Sequence, residues 1–118
     1  MRRSRPDENE LTYLGERRLG RIATADRFGR PHVTPVGMWR YMPEENVVEI
    51  TGRNFSATRK YRNVKENPQA ALVIDDVAST GEWSPRAVLL EGPAEAIESP
   101  DGSAAIRISV DRVVSWGL

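Results

Sequence analysis

The stretch 51-TGRNFSATRKYRNVKENP-68 places five basic residues, Arg53, Arg59, Lys60, Arg62 and Lys65, against a single acid, Glu66. The whole chain has no such excess: 17 basic residues balance 17 acidic ones over 118 positions. The stretch follows a short apolar run, 47-VVEI-50, and stops at Asn67-Pro68. A strand ending at Thr51-Gly52, a polar loop and a helix beginning near Ser56 would leave free helix amides facing an anion. Arg53 falls on the incoming loop, and Arg59 and Lys60 fall in the first turn. Cations there oppose the helix dipole, a conflict that a bound phosphate removes. Arginine supplies a two-pronged donor and lysine a point charge. Arg62 and Lys65 read as a solvated face. The sequence has neither GxxxxGK[ST] nor GxGxxG, so this is not a P-loop or a dinucleotide fingerprint.

Other chemistry is bounded by what the chain lacks. There is no cysteine, which excludes thiol catalysis, disulfides and cysteine-ligated metals. A single histidine, His32, cannot build a metal site, so no metal is expected. His32 itself is either an aid to proton transfer or a surface or interface residue. Balanced charge argues against general nucleic-acid binding, and the basic stretch has only Phe55 and Tyr61 interleaved. No apolar run approaches the ~20 residues of a membrane span. Arg2, Arg3 and Arg5 are not followed by the apolar stretch of a secretory signal, and a cytoplasmic location is expected.

The elements that would position these groups follow from periodicity. The length predicts one domain over 1–118, with residues 1–9 polar and frayed. A short helix is expected over 10-ELTYLGERR-18, with Leu11 and Leu14 at helical spacing. Strands are expected at 19–26, 31–40 and 46–52. The turns between them are 26-DRFGR-30 and 42-MPEEN-46, giving an antiparallel meander. Within the second strand, Pro35 has no amide hydrogen and Gly37 no side chain. Either the strand bends there, at an edge or bulge, or a flat ligand lies on its backbone. A helix over 57–66 follows, with Ser56 as its N-cap. The run 69-QAALVIDD-76 lacks alternation and reads as a strand buried on both faces. The long strand 87–98 is bent at Gly92-Pro93. Ile106, Ile108 and Val110 alternate with Arg107 and Ser109, and the chain ends 113-VVSWGL-118. About six strands with one inserted helix suggest a small barrel.

The blocks 20-GRIATAD-26, 29-GRPHVTPVG-37, Thr51…Arg59-Lys60…Asn67-Pro68 and 113-VVSWG-117 together resemble the flavin and deazaflavin oxidoreductases of the pyridoxamine 5′-phosphate oxidase superfamily, over residues 11–117. The likeness is to the branch using the deazaflavin F420. It implies a mainly β protein: a six-stranded antiparallel split β-barrel with a short N-terminal helix and a helix after the third strand. It implies a homodimer with the cofactor in a groove between subunits, acting on a small-molecule substrate. The phosphate would be held by Arg59 and Lys60, with Thr51, Gly52 and Thr58 nearby, and Arg53, Asn54 and Ser56 of a longer loop would be extra contacts. The ring would lie along Val33, Thr34, Pro35, Val36 and Gly37. Trp83 and Trp116 become walls of the substrate pocket or contacts to the partner subunit. The cofactor would be F420, or FMN as the alternative, and a carrier without turnover is a third reading. Two features depart from the pattern: a longer loop from Thr51 to Arg59 and a short connection at 97-IESPDGSAA-105.

Overall fold

The computed structural model describes residues 3–16, 19–79 and 81–118. The first helix, α1 (Glu8–Glu16), is closed by a reciprocal cap. The Glu10 amide donates to Asp7 Oδ1 at 2.9 Å, and the Asp7 amide donates to Glu10 Oε1 at 2.8 Å. Then come β1 (Gly20–Ala25), β2 (Pro31–Val36), β3 (Trp39–Met42), β4 (Val47–Ile50), α2 (Arg59–Glu66), β5 (Gln69–Val77), β6 (Pro85–Glu98), β7 (Ala104–Ser109) and β8 (Arg112–Trp116). All strand pairings are antiparallel, and the sheet does not close on itself.

The architecture is two sheets that share one strand. Residues 85–93 of β6 pair with β5, and Ala87–Glu91 pair with β8 on the other side. Beyond the bend, Ala94–Glu98 pair with β7. One sheet thus runs β2-β1-β5-β6-β8 and the other β6-β7-β4-β3. The bend falls at Gly92-Pro93, where the sequence placed it. A Cβ on Gly92 would overlap the Ser109 carbonyl oxygen, so only glycine lets the chain from β7 to β8 cross here. The buried faces of both sheets enclose Ile22, Val48, Ile50, Leu72, Ile74, Val88, Leu90, Ile106 and Ile108, with Phe55, Tyr61 and Val64 closing the core from the α2 side.

Several expectations need correction. The strand expected over 31–40 is two strands, which break at Gly37-Met38 and belong to different sheets. The expected meander is therefore two separate hairpins, β1–β2 and β3–β4, and the helix follows the fourth strand. The tail is also a strand, so there are eight rather than six. β2 is an outer strand of its sheet, which is where a proline's missing donor is tolerated. Ser56 is not the N-cap: Phe55–Ala57 form a 3₁₀ turn, and Thr58 Oγ1 accepts from the Tyr61 amide at 3.3 Å. β5 does alternate, with Ala70, Leu72 and Ile74 buried and Ala71 and Val73 half-exposed. Finally, residues 3–9 are tied down rather than frayed. Arg3 grips Glu10 through two bonds of 2.6 Å, its carbonyl accepts from the Val113 amide, and Arg5 bonds the Pro43 carbonyl. Arg17 and Arg18, at the end of the expected first helix, lie outside the described residues.

Candidate functional site

The break at Gly37-Met38 and the start of α2 come together because β4 leads from one to the other. The Thr51 amide, one residue past β4, donates to the Met38 carbonyl at 2.9 Å. Gly52 packs so tightly on Phe55 that a Cβ would sit 3.1 Å from its ring. Asn54 turns the chain through a left-handed conformation (φ 47°) into the 3₁₀ turn. Thr58 then donates to the Phe55 carbonyl at 2.7 Å while capping α2. Arg59 and Lys60 are therefore the first two helical residues, closer to the free amides than the sequence placed them.

The charges of this segment are uncompensated. Elsewhere Arg3, Arg21, Arg30, Arg40, Arg86, Arg107 and Arg112 each hold a carboxylate. Among the described residues no carboxylate pairs with Arg53, Arg59, Lys60, Arg62 or Lys65. Lys60 Nζ lies 5.2 Å from the centre of the Phe55 ring, and burial pushes its pKa down. A half-buried ammonium without a counter-ion is unfavourable unless a ligand supplies one.

β2 presents two different faces. By register Val33 lies opposite Ala23 and Pro35 opposite Arg21, on the outward face, and Val33 is 65% exposed. His32, Thr34 and Val36 lie on the inward face, and Val36 is a core residue. The expected ring-contact segment is thus not one surface. Val36 can offer a ligand only its backbone, while Val33 and Pro35 offer side chains. Ser56 and Arg53 are exposed beside the helix start. Trp83 is 83% exposed in the loop between β5 and β6, and Trp116 is half-exposed at the end of β8. Both stand away from the core of their own chain.

Some neighbours of the site were not placed there by the sequence. The β1–β2 turn folds back onto α2, and Arg27, Phe28 and Arg30 join Arg59, Arg62 and Asn63 around a polar recess of about 310 Å³. Asp26 holds this turn by accepting from the amides of Phe28 and Arg30 and from Arg30 Nε. The guanidinium carbons of Arg27 and Arg30 lie 4.8 and 5.3 Å from the centre of the Phe28 ring. His32 is the other: its Nδ1 is sealed from solvent without a hydrogen-bond partner. The packing of a turn about thirty positions before Arg59 onto α2 is not visible in a local pattern.

With this geometry in place, the pyridoxamine 5′-phosphate oxidase family model matches residues 7–116. The chain belongs to the pyridoxamine 5′-phosphate oxidase family. A reductase of Streptomyces rimosus that acts on 5a,11a-dehydrotetracycline and 5a,11a-dehydrooxytetracycline is 38% identical, covering 94% of this chain and 82% of the relative. The same fold occurs in a FAD-binding protein of Mesorhizobium loti (TM-score 0.70, 16% identity, 93% of this chain and 94% of the other). It occurs again in the heme storage protein HutZ of Vibrio cholerae (TM-score 0.66, 18% identity, 93% of each chain). At these identities the structures establish the split-barrel fold alone. The family and the reductase relative together support an oxidoreductase. No helix among the described residues is long and apolar enough to cross a membrane.

Proposed function

We propose that this chain is a hydride-transferring reductase that binds the deazaflavin F420 as a homodimer and reduces a small conjugated organic acceptor. The observation that carries this reading is the cation cluster at the start of α2, which has no carboxylate partner among the described residues, whereas seven of the nine other described arginines hold a carboxylate. Arg59 and Lys60 would hold the cofactor's phosphate, with Thr51, Gly52 and the α2 amides beside them. The ring would lie along β2 near Val33, Pro35 and the backbone of Val36-Gly37. When bound, the reduced deazaflavin supplies the hydride; the chain's own task is to bind, orient and exclude water. Arg53, Arg62 and Arg27 favour F420 over FMN, because F420 carries an anionic tail beyond its phosphate. The dehydrotetracycline reductase makes fused-ring conjugated acceptors the first class to screen.

A second copy is part of the proposal. The outward face of the first sheet carries Pro35, Arg21, Val73, Leu89 and Val114 in one row and Val33, Ala23, Ala71, Glu91 and Arg112 in the next. None of these is fully buried in a single chain. A shallow groove of about 570 Å³ runs along Ala23, Ala71, Glu91 and Pro93 of this face. Such a face fits a partner of the same chain, which would also cover the exposed side of β2.

The test is a paired fluorescence titration of the purified protein with F420 and with FMN. Preferential F420 binding, followed by oxidation of F420H2 on adding a conjugated acceptor, is the expected result. Preferential FMN binding would move the protein to the flavin branch. Tight F420 binding with no acceptor-dependent reoxidation would make it a carrier.

A further inference from the structure

His32 is the single histidine of the chain and lies on the inward face of β2, opposite Thr24 of β1. That face is covered by α2, whose Asn63 Nδ2 donates to Thr24 Oγ1 at 3.1 Å. The imidazole is half-buried, and its Nδ1 has neither water access nor a protein partner. Burial, and then the positive charges of Arg59 and Lys60, push its pKa below the ordinary histidine range. Among the described residues no carboxylate forms an ion pair with either cation. Of the other charged groups nearby, Asp26 in the β1–β2 turn is held by Arg30. Arg21 of β1 lies on the opposite face and pairs with Asp75. Arg62 and Glu66 of α2 line the recess with Arg59. His32 therefore lies on the face that α2 covers, with an imidazole nitrogen that has no partner, and among the described residues the first two residues of that helix, Arg59 and Lys60, have no carboxylate partner.

We propose that His32 is a third, proton-gated member of the anion site, taking up a proton when an anion binds at Arg59 and Lys60. This rests on the reading that these two residues hold the cofactor's phosphate. The reasoning is Coulombic. Without an anion, the partly buried setting and the two cations favour the neutral ring. An anion at Arg59 and Lys60 cancels their field and adds an attraction of its own, so the imidazolium becomes the favoured form. By reciprocity, whatever factor the anion adds to proton affinity the proton adds to anion affinity. His32 is a positioning residue on this account: it strengthens anion binding at acid pH and takes no part in hydride transfer.

Sulfate is the probe, because its charge does not change across the working pH range. The readout is the ring resonances of His32, unambiguous because the chain has no other histidine. The pH titration is run with and without sulfate at constant ionic strength, on the wild type, Lys60→Ala and His32→Asn. The expected result is an upward shift of the His32 midpoint by about one pH unit with sulfate, matched by a roughly tenfold rise in sulfate affinity from pH 8 to pH 5.5. Lys60→Ala should abolish the shift, and His32→Asn, with unchanged thermal unfolding, should flatten the pH dependence; His32→Gln serves if the asparagine variant unfolds. Lys60-dependent sulfate binding with an unmoved His32 midpoint would overturn the proposal and leave the phosphate reading standing. Absence of Lys60-dependent sulfate binding would overturn both.

Discussion

Lys60 and Arg59 owe their position to a threonine rather than to the serine the sequence pattern pointed at. Lys60→Ala should weaken cofactor binding by about 1–3 kcal/mol, the range for a charge-assisted hydrogen bond, by fluorescence titration. Arg107→Ala, whose guanidinium pairs with Glu45 in the β3–β4 turn of its own sheet, should leave that affinity unchanged. Equal losses in the two variants would refute the assignment. A second prediction concerns Glu10, fully buried beneath the N-terminal segment. The hydrogen-bonded Arg3 guanidinium, outweighing the effect of burial, holds its carboxyl down to about 2. A depressed carboxylate stabilises the fold above the unfolded-state value, and that stability is lost as pH falls from about 4.5 toward 2. The Tm advantage of the wild type over Glu10→Gln should be large at pH 7 and nearly gone at pH 2. A constant difference would show that the pair contributes through packing alone. The basic cluster was legible because charge density survives any error in helix boundary. His32 was not, because what distinguishes it is a missing partner, and absence of a partner is a property of three-dimensional surroundings.

The strand-to-helix passage from β4 to α2 is the element that makes the site. Its sequence shows the strand, the helix stop at Asn67-Pro68 and the charges, but not the 3₁₀ turn. That turn forms because Asn54 adopts a left-handed backbone and Phe55 enters the core, 3% exposed. Tertiary burial of one ring moved the cap by two residues. Thr58→Ala should therefore lower stability by about 1 kcal/mol in denaturant unfolding and loosen cofactor binding with it, whereas Ser56→Ala should be near neutral for stability. The reverse order would restore Ser56 as the cap. The missed break at Gly37-Met38 has a similar cause. Residues 31–40 read as one extended run because both halves are extended; only the partners differ, β1 for one and β4 for the other. Period-2 reasoning sees the conformation and is blind to a change of sheet.

At the scale of the molecule, the half-exposed outward face of the first sheet is the largest departure from the sequence reading. β5 looked buried on both faces, and in one chain it is buried on one. The two statements agree if a second copy covers Val73, Leu89 and Val114. Leu89→Glu, placed in the middle of that face, should convert a dimer into a monomer by light scattering and reduce cofactor affinity at least tenfold. A monomeric variant that binds cofactor as tightly as the wild type would remove the inter-subunit groove. The fold class itself was legible, because turns, alternation and the Gly92-Pro93 bend are local signals. The number and order of strands were not, since they depend on which distant edge each strand finds.

The shared strand β6 has a consequence for how the chain acquires its structure. The hairpin β1–β2 docks on β5, about fifty residues downstream, and the hairpin β3–β4 waits for β7, which lies farther along the chain from β4 than β5 does from β1. Neither sheet is complete until β6 has been made, and β6 must satisfy both across a single glycine. Folding is therefore dominated by late, long-range closures, which places the protein among slow folders for its size. During synthesis on the ribosome, two hairpins with open edges are exposed before their partners emerge, and that interval is when the chain is most prone to aggregate.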